Sequence, residues 1–475
     1  MTGKEVTYKA SSSQGILGPS SKQSTCTFIN FKHTVLPDQQ IRQTMTIKVT
    51  PGETTHDFEA LLETESSVMY FLCEPGISTI SFFKGACHEE SLNKIRERIK
   101  LICQSNPWLT GRLVKNKKIH ANVLLAVPKV VSEDDINSIL CSEDSTLSSI
   151  SSKMDYETTC KTLENSNALV KMGYSLIGKD SRVAKFTLVK GANNELALVF
   201  SLSHSVGDGF TYYSIFNMLT EGSEIKKLSY SRKHDFMPQM KKAMGEEEFQ
   251  LMRAPGITLG MMSGMCCGAK ARFEARFVDE EKVRKAKDEA KARVGSDDFF
   301  CSTNDILTST FAQAAQADLL LMAINLRNRV EVATNEDSGN YETVLVYDSP
   351  SSANPEAIRK SLNGGAPFKR IGGESLPGFF KQLRTRFALI TNWAFASFKA
   401  DLKLCDKEGN MTCETQLHIP VYTLSAIFFP LAIIFRPCEG KLAILYGGSF
   451  RDLPHDRIVS CGVPLGDVVS ETMFG

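Results

Sequence analysis

The chain has 475 residues, of which 42% are hydrophobic and 23% are charged. This composition is typical of a soluble globular protein and excludes a long disordered chain and a collagen-like chain. Lysine and arginine number 55 against 54 aspartates and glutamates, which leaves a formal charge of +1. So balanced a charge argues against a general nucleic-acid-binding protein, and the length predicts about two to three domains or one two-lobed body.

The cysteine content and the lack of a recognisable signal peptide or membrane-spanning run together predict a cytoplasmic protein. The 13 cysteines include no Cys-x-x-Cys pair and indicate reduced thiols, with the adjacent Cys266 and Cys267 as the one candidate for redox chemistry. Residues 1–25 lack the apolar core of a signal peptide and are expected to form a disordered tail. No apolar run is long enough to span a membrane, and Val421–Phe435 is expected to form buried strands. Peripheral membrane contact stays open.

A strand, a helix and a second strand are predicted early in the chain. Ile77–Phe83 has the composition of a strand. His88–Ser105 is predicted to be a helix because its apolar residues, at spacings of three and four, share one face. Asn106-Pro107 ends this helix, and Ile119–Val127 is predicted to be the next strand.

A hairpin is predicted next, and it leads directly to a histidine. Arg182–Lys190 alternates apolar and polar residues, Gly191–Asn194 has turn composition, and Glu195–Ser203 is a second, more apolar strand. The chain then reaches His204, and Phe210–Leu219 is predicted to be a helix.

The second half repeats the alternation of helices and strands. A charged helix is predicted at Phe277–Lys291, and a helix capped at Ser302 is predicted at Ile306–Ala317. A buried strand is predicted at Leu319–Leu326, and a pair of strands at Ala432–Tyr446. We therefore expect an α/β fold with an N-terminal lobe at 26–225, a crossover at 226–270 and a C-terminal lobe at 271–475.

The segment Ser203-His-Ser-Val-Gly-Asp-Gly209 is the strongest candidate for chemistry. A neutral imidazole held at the end of a strand can accept a proton from an alcohol or an amine. Glycines on both sides of Asp208 permit a sharp turn into the following helix. The spacing alone does not distinguish a catalytic histidine from a structural one. The sequence contains no phosphate loop, nucleophile elbow or His-Glu-x-x-His helix, so no metal is expected.

Five segments, in order, resemble the chloramphenicol-acetyltransferase-like superfamily of CoA-dependent acyltransferases, and most closely its BAHD branch. Each segment alone is a weak indicator of the family, whereas all of them in this order are a more specific one. The segments are His88–Leu113, which ends in Gly-Arg-Leu, Ser201–Phe210 with the His-x-x-x-Asp-Gly motif, Ser302–Thr308, Ala323–Arg329 with the later Gly339-Asn340, and Thr391–Trp393.

Two departures from the family pattern indicate a divergent member. The plant BAHD motif Asp-Phe-Gly-Trp-Gly is absent after Trp393, where the chain continues as Ala394–Ala400. The condensation and wax-synthase branches usually carry two adjacent histidines, and Ser203 stands at the first of those positions. The second departure disfavours those branches.

The resemblance implies two similar lobes, each a mixed sheet with helices, and an active-site channel at their interface. It implies that His204 is the general base that moves an acyl group from acyl-CoA to a hydroxyl or amine of a small molecule, without a covalent acyl-enzyme. Acyl-CoA would be a co-substrate, no cofactor would be permanently bound, and the protein would be a monomer.

The resemblance also implies roles for other residues. Asp208 would orient the turn through a bidentate ion pair with Arg327. The alternative is that Arg327 is a surface residue of a strand and makes no such pair. Gly209 would free space behind the turn. Trp393 would belong to the core. CoA contacts would come from four residues of the second lobe: Thr391, Asn392, Ser302 and Thr303. Of these, Ser302 and Thr303 also fit a helix cap.

Two alternatives remain at this stage. One is a transferase of the same fold that takes its acyl group from a carrier-protein thioester or that forms lipid esters. The other is a non-catalytic binding protein on this scaffold, which the missing Asp-Phe-Gly-Trp-Gly motif keeps open and the intact His204, Asp208 and Gly209 oppose. The sequence does not identify the acyl chain or the acceptor.

Overall fold

A computed structural model describes most of the chain from residue 55 to residue 469. The residues it leaves out within that span are 68–70, 73, 87–88, 116–122, 142–144, 193–194, 253, 258, 260–270, 297, 349–352, 364–377, 396–401, 406–410, 423–428, 450–452 and 454. The predicted tail at residues 1–25 and the Cys266-Cys267 pair lie outside the described residues.

The described strands fall in both halves of the chain. They are β1 (His56–Ala60), β2 (Ile77–Ala86), β3 (Arg112–Lys115), β4 (Val123–Pro128), β5 (Leu140–Cys141), β6 (Ala184–Lys190), β7 (Glu195–Leu202), β8 (Ala271–Val278), β9 (Leu319–Asn325), β10 (Glu342–Tyr347), β11 (Phe387–Asn392), β12 (Lys403–Cys405), β13 (Met411–Val421), β14 (Leu431–Phe435), β15 (Ala443–Ser449) and β16 (Leu465–Val468).

The described α-helices alternate with these strands. They are α1 (Glu89–Ser105), α2 (Glu133–Ile139), α3 (Tyr156–Glu164), α4 (Gly173–Leu176), α5 (Gly209–Asn217), α6 (Phe236–Met244), α7 (Glu246–Met252), α8 (Glu280–Val294), α9 (Thr303–Ala315), α10 (Pro355–Asn363), α11 (Phe379–Arg384) and α12 (His455–Ser460). Short 3-10 helices lie at Pro107–Thr110 and Ser145–Leu147.

The first large sheet has the described strand order β12-β13-β2-β7-β6-β5. Its central strands β2, β7 and β6 are antiparallel, and β5 runs parallel to β6. The apolar face of α1 is buried beside this sheet, with Ile95, Ile99 and Ile102 fully inaccessible to solvent. The predicted helix and hairpin are thereby confirmed, and the hairpin runs through the middle of the lobe.

The second large sheet has the described strand order β10-β9-β11-β14-β15-β8-β16. Strand β11 runs parallel to both β9 and β14, whereas the other neighbours are antiparallel. Helix α9 packs on this sheet with Leu307 and Phe311 buried in a second core. Two mixed sheets with helices confirm the predicted α/β fold of two lobes, and a smaller sheet, β1-β4-β3, lies beside them.

Three sequence-based boundaries differ from the structure. Strands β12 and β13 belong to the second half of the chain but join the first sheet, where His418 of β13 pairs with Ser81 of β2. The charged helix begins at Glu280, because Phe277 and Val278 complete β8. The crossover at 226–270 contains α6 and α7, whose amphipathic pattern the glycines and charges of that segment obscured.

Candidate active site

The His204 turn joins β7 to α5. Strand β7 ends at Leu202, and Asp208 is the N-cap of α5, where its Oδ1 accepts a hydrogen bond of 2.9 Å from the Thr211 amide. An aspartate suits this position because its carboxylate satisfies an amide that lacks a partner within the helix. The strand end and the helix start therefore fix the backbone on both sides of the histidine.

The glycines of the turn contribute space rather than unusual backbone angles. Neither Gly207 nor Gly209 has a positive φ. A Cβ at Gly207 would lie 2.8 Å from Cγ2 of Thr211, whereas a Cβ at Gly209 would lie 3.6 Å from Nε1 of Trp393, an ordinary contact. The close approach that the sequence analysis assigned to Gly209 thus occurs at Gly207.

A buried ion pair ties the turn to the second sheet. Arg327, two residues past the end of β9, donates from Nη1 to Oδ2 of Asp208 at 2.6 Å. The Asp208 side chain is 1% exposed and that of Arg327 is 0% exposed. This is the pair implied by the family resemblance, and Arg327 is not a surface residue. The contact is made through one nitrogen rather than two, because the other carboxylate oxygen caps α5.

Every N–H group of Arg327 has an acceptor. Beyond Asp208, the guanidinium donates to the side chains of Asn325 and Thr211 and to the backbone carbonyls of Asp337 and Gly339. Full satisfaction matters because a buried cation is costly to desolvate unless its hydrogen bonds are replaced. The arginine therefore fastens the 337–341 segment to the His204 turn.

The ring of His204 is held between an aromatic ring and an amide. It stacks on Phe71 with ring centroids 4.7 Å apart and an angle of 16° between the planes. Its Nδ1 lies 3.1 Å from Oδ1 of Asn340. The side chain keeps 15% of its surface exposed, so the ring is not sealed in the interior.

Asn340 determines which ring nitrogen carries the proton. Its Nδ2 donates to the carbonyl of His204 at 2.7 Å and to Oε1 of Glu65 at 3.1 Å, which fixes the orientation of the amide. The opposite atom, Oδ1, then faces Nδ1, and an amide oxygen only accepts hydrogen bonds. Nδ1 of His204 must therefore be the protonated nitrogen of the neutral ring, and Nε2 keeps the lone pair that a general base needs.

Two carboxyl groups face Nε2 of His204. Glu74 Oε2 lies 3.3 Å away and Glu342 Oε1 lies 3.9 Å away. Burial by itself lowers the pKa of His204, but the charges of the two glutamates outweigh it, and the pKa lies above its usual value. Burial and the nearby charge of Asp208 raise the pKa of Glu342 to about 8. Sequence reasoning missed both glutamates, because nothing in their local context distinguishes them.

A second buried ion pair supports Asn340. Arg232 donates from Nε to Oε2 of Glu65 at 2.8 Å, and both side chains are 0% exposed. Glu65 Oε1 also accepts from the backbone amide of Asn340 at 2.9 Å, and Arg232 donates to the carbonyl of Val206 in the turn. Glu65 and Arg232 lay outside every motif in the sequence, so only the structure reveals them.

The candidate CoA-contacting residues lie in the second lobe, and the side chains of Ser302, Thr303 and Asn392 already have protein partners. Ser302 caps α9 by accepting from the Asp305 amide, and Thr303 Oγ1 accepts from Lys287 Nζ at 3.0 Å. Asn392, at the end of β11, donates to Asn304 Oδ1 at 2.9 Å. Thr391 is half-buried in β11, and Trp393 is buried in the core beside Tyr213.

The part of the chain that the structure describes contains no cluster of histidine, cysteine and carboxylate side chains able to hold a metal ion. Within the same residues, every helix is too short or too polar to cross a lipid bilayer.

Comparison with known proteins gives structural matches alone. No protein-family model and no curated protein sequence matches the chain. The trichothecene 15-O-acetyltransferase TRI3 of Fusarium sporotrichioides matches with a TM-score of 0.56 and 8% identity, over 88% of this chain and 98% of that chain. TRI101 of F. graminearum, complexed with coenzyme A and deoxynivalenol, matches with a TM-score of 0.55 and 11% identity, over 85% and 97%.

A condensation domain has the same architecture. The first condensation domain of the calcium-dependent antibiotic synthetase matches with a TM-score of 0.54 and 10% identity, over 87% of this chain and 98% of that chain. At such identities the matches establish the fold and leave the chemistry to the residues of the site. The chain therefore has the fold that these acetyltransferases and this condensation domain share.

Proposed function

We propose that this protein transfers an acyl group from acyl-CoA to a hydroxyl or amine of a small-molecule acceptor, with His204 as the general base. The observation that carries the proposal is the state of the His204 ring. Asn340 holds the proton on Nδ1, and the side chain remains 15% exposed, so Nε2 is available to a reactant. The coenzyme A bound in the TRI101 structures supports acyl-CoA as the donor.

In the proposed reaction, Nε2 of His204 removes the proton of the acceptor as its oxygen or nitrogen attacks the thioester carbonyl. The tetrahedral intermediate collapses, the bond from carbon to sulfur breaks, and the imidazolium returns the proton to the CoA thiolate. No acyl group becomes attached to the protein. Proton transfer of this kind supplies about 10²- to 10⁴-fold in rate, and positioning of the two substrates supplies much of the rest.

Asp208 has a structural part in this proposal. Its two carboxylate oxygens are engaged by Thr211, Tyr341 and Arg327, and it takes no part in the proton transfer. The ion pair holds the His204 turn against the segment that carries Asn340. A shift of about 1 Å at a reacting group can cost about 10²-fold in rate, so rigid attachment of the turn matters.

CoA recognition by the second lobe remains a proposal. Thr391 and Asn392 lie at the end of β11, a central strand of the second sheet. Asn392 already donates to Asn304, so Thr391 is the stronger candidate of the two. Ser302 and Thr303 are weaker candidates, because the cap of α9 and Lys287 already engage their hydroxyl groups.

The test is release of free CoA thiol from a series of acyl-CoA donors with alcohol and amine acceptors. Wild-type protein is expected to release thiol in an acceptor-dependent manner, and His204→Ala is expected to lose at least about 100-fold of that rate. His234→Ala, which removes an exposed histidine of the crossover, is the matched control. Thiol release that is unchanged in His204→Ala would remove His204 from the mechanism.

The match to a condensation domain keeps one second candidate, a transferase that accepts an acyl group from a carrier-protein thioester. The same assay decides between them when acyl-carrier thioesters are offered beside acyl-CoA. Turnover with the carrier alone would favour the second candidate. Absence of turnover with both donors, combined with tight binding of a small molecule, would favour a binding protein.

A further inference from the structure

The side of His204 that would meet the acceptor contains an unexpected pair of acidic groups. Glu342 is the first residue of β10, immediately after Tyr341, whose amide binds Asp208. Glu74 lies in the segment before β2. Their carboxyl oxygens approach the same ring nitrogen, at 3.9 Å and 3.3 Å. The side chain of Glu342 is 25% exposed and that of Glu74 is 45% exposed.

The charges around this nitrogen are incompletely balanced. The charge of Asp208 is neutralised by Arg327. Among the described residues, the ion contacts of Glu342 and Glu74 are to His204. Tyr422 also faces Glu74, whose negative charge, after burial, contributes to raising the pKa of its phenol. A carboxylate directed at the lone pair of Nε2 is repulsive, so the two carboxylates favour the form of the ring in which Nε2 is protonated.

We propose that Glu342 is a positioning residue for His204, whose carboxylate, 3.9 Å from Nε2, stabilises the protonated ring through its charge. Since Asn340 keeps one ring proton on Nδ1, the second proton of the imidazolium is the one that Nε2 takes from the acceptor. Removing the acceptor proton creates the imidazolium, and the Glu342 carboxylate stabilises that cation. This inference rests on the proposed function, because it assigns Glu342 a part in the same proton transfer.

The pair has a consequence for the pH dependence of the reaction. The charge of Glu342 favours the protonated ring, so the proton leaves Nε2 at a higher pH than it would in the absence of that charge. The raised pKa values of His204 and Glu342 agree with this expectation. Without the Glu342 charge, Nε2 of His204 therefore loses its proton at a lower pH, and the deprotonated ring is a weaker base.

The test is the pH dependence of kcat/KM for thiol release in Glu342→Gln. The acidic limb is expected to move to lower pH by at least about 0.8 unit, the effect of one charge at 3.9 Å even with the dielectric constant of water. The plateau at high pH is expected to fall roughly two- to threefold, because a less basic imidazole removes protons more slowly. A purely structural defect would lower the whole profile without moving its limb.

Three further variants complete the test. Glu342→Asp keeps the charge and should keep the limb near its wild-type position. Glu74→Gln should also move the limb to lower pH, since its carboxyl oxygen lies 3.3 Å from Nε2. Glu331→Gln, an exposed glutamate, should behave as wild type. A limb that stays fixed in an active Glu342→Gln protein would overturn the inference and leave the proposed acyltransferase intact. A wild type that releases no thiol from any donor would overturn the proposed function first.

Discussion

Replacing Asp208 by alanine should destabilise the fold, because it leaves the Arg327 guanidinium charged and fully buried. The carboxylate accepts hydrogen bonds from Arg327 at 2.6 Å, from the Thr211 amide at 2.9 Å and from the Tyr341 amide at 3.0 Å. Breaking one partner of a buried ion pair costs about 3–5 kcal/mol, and loss of a helix N-cap costs about 1 kcal/mol. These costs overlap, so we expect a loss of about 3–5 kcal/mol in the free energy of unfolding.

The assay is urea unfolding followed by far-UV circular dichroism, with Asp208→Asn and the double variant Asp208→Ala with Arg327→Met as companions. Asparagine keeps the shape and an oxygen that can cap α5, so it should cost less than alanine. The double variant removes both charges and should recover part of the loss, as replacement of a buried pair by apolar side chains often does. An alanine variant within about 1 kcal/mol of wild type would refute the proposed role of the pair.

Three other predictions concern single positions. Asn340→Ala should lower kcat for thiol release roughly tenfold with little change in KM, because Nδ1 loses the acceptor that fixes the tautomer; an unchanged kcat would contradict this. Gly207→Ala should cost about 1–3 kcal/mol in urea unfolding, because its Cβ would meet Thr211 at 2.8 Å, whereas Gly209→Ala should cost less; the reverse order would contradict the assignment. Burial lowers the pKa of His418 to about 3, so stability should fall by about 2 kcal/mol from this residue between pH 6.5 and pH 4.5, where the unfolded histidine increasingly binds a proton and the folded one does not. A His418→Gln protein whose stability depends on pH as strongly as wild type would contradict the last prediction.

Local sequence patterns predicted the elements that carry the candidate base. The alternation in Arg182–Lys190, the apolar run that follows and the glycine-flanked turn around Asp208 are all encoded within a few residues. They place His204 between a strand end and a helix start, as the structure shows. The Asp208 contact with Arg327 spans 119 positions and was accessible only through the family resemblance.

The residues that the sequence did not reveal are those whose importance arises from long-range contacts. Glu65 and Arg232 are separated by 167 positions, and Glu65 meets Asn340 across 275. Each looks in sequence like one of many surface charges, and burial alone distinguishes it. His418 is a similar case, since its ring bridges Ser81 and Tyr213 inside the first lobe.

The sequence also did not reveal that β13, from the second half of the chain, joins the first sheet, because this too depends on long-range contacts. The 11 residues of β13 have the alternation and bulk of a strand, but strand composition does not name a partner. Its pairing with β2 joins segments that are distant in the chain, with Val421 opposite Ser78. A division of the chain into consecutive lobes therefore misplaces it, even though the elements themselves are correct.

The most direct test of the central claim is the kcat of His204→Gln for acceptor-dependent release of CoA thiol, measured beside wild type at the same pH. Glutamine keeps a polar side chain of similar length but does not act as a base near neutral pH. The account predicts a fall of at least about 100-fold with the folded state intact. A glutamine variant that retains more than half of the wild-type kcat would contradict it.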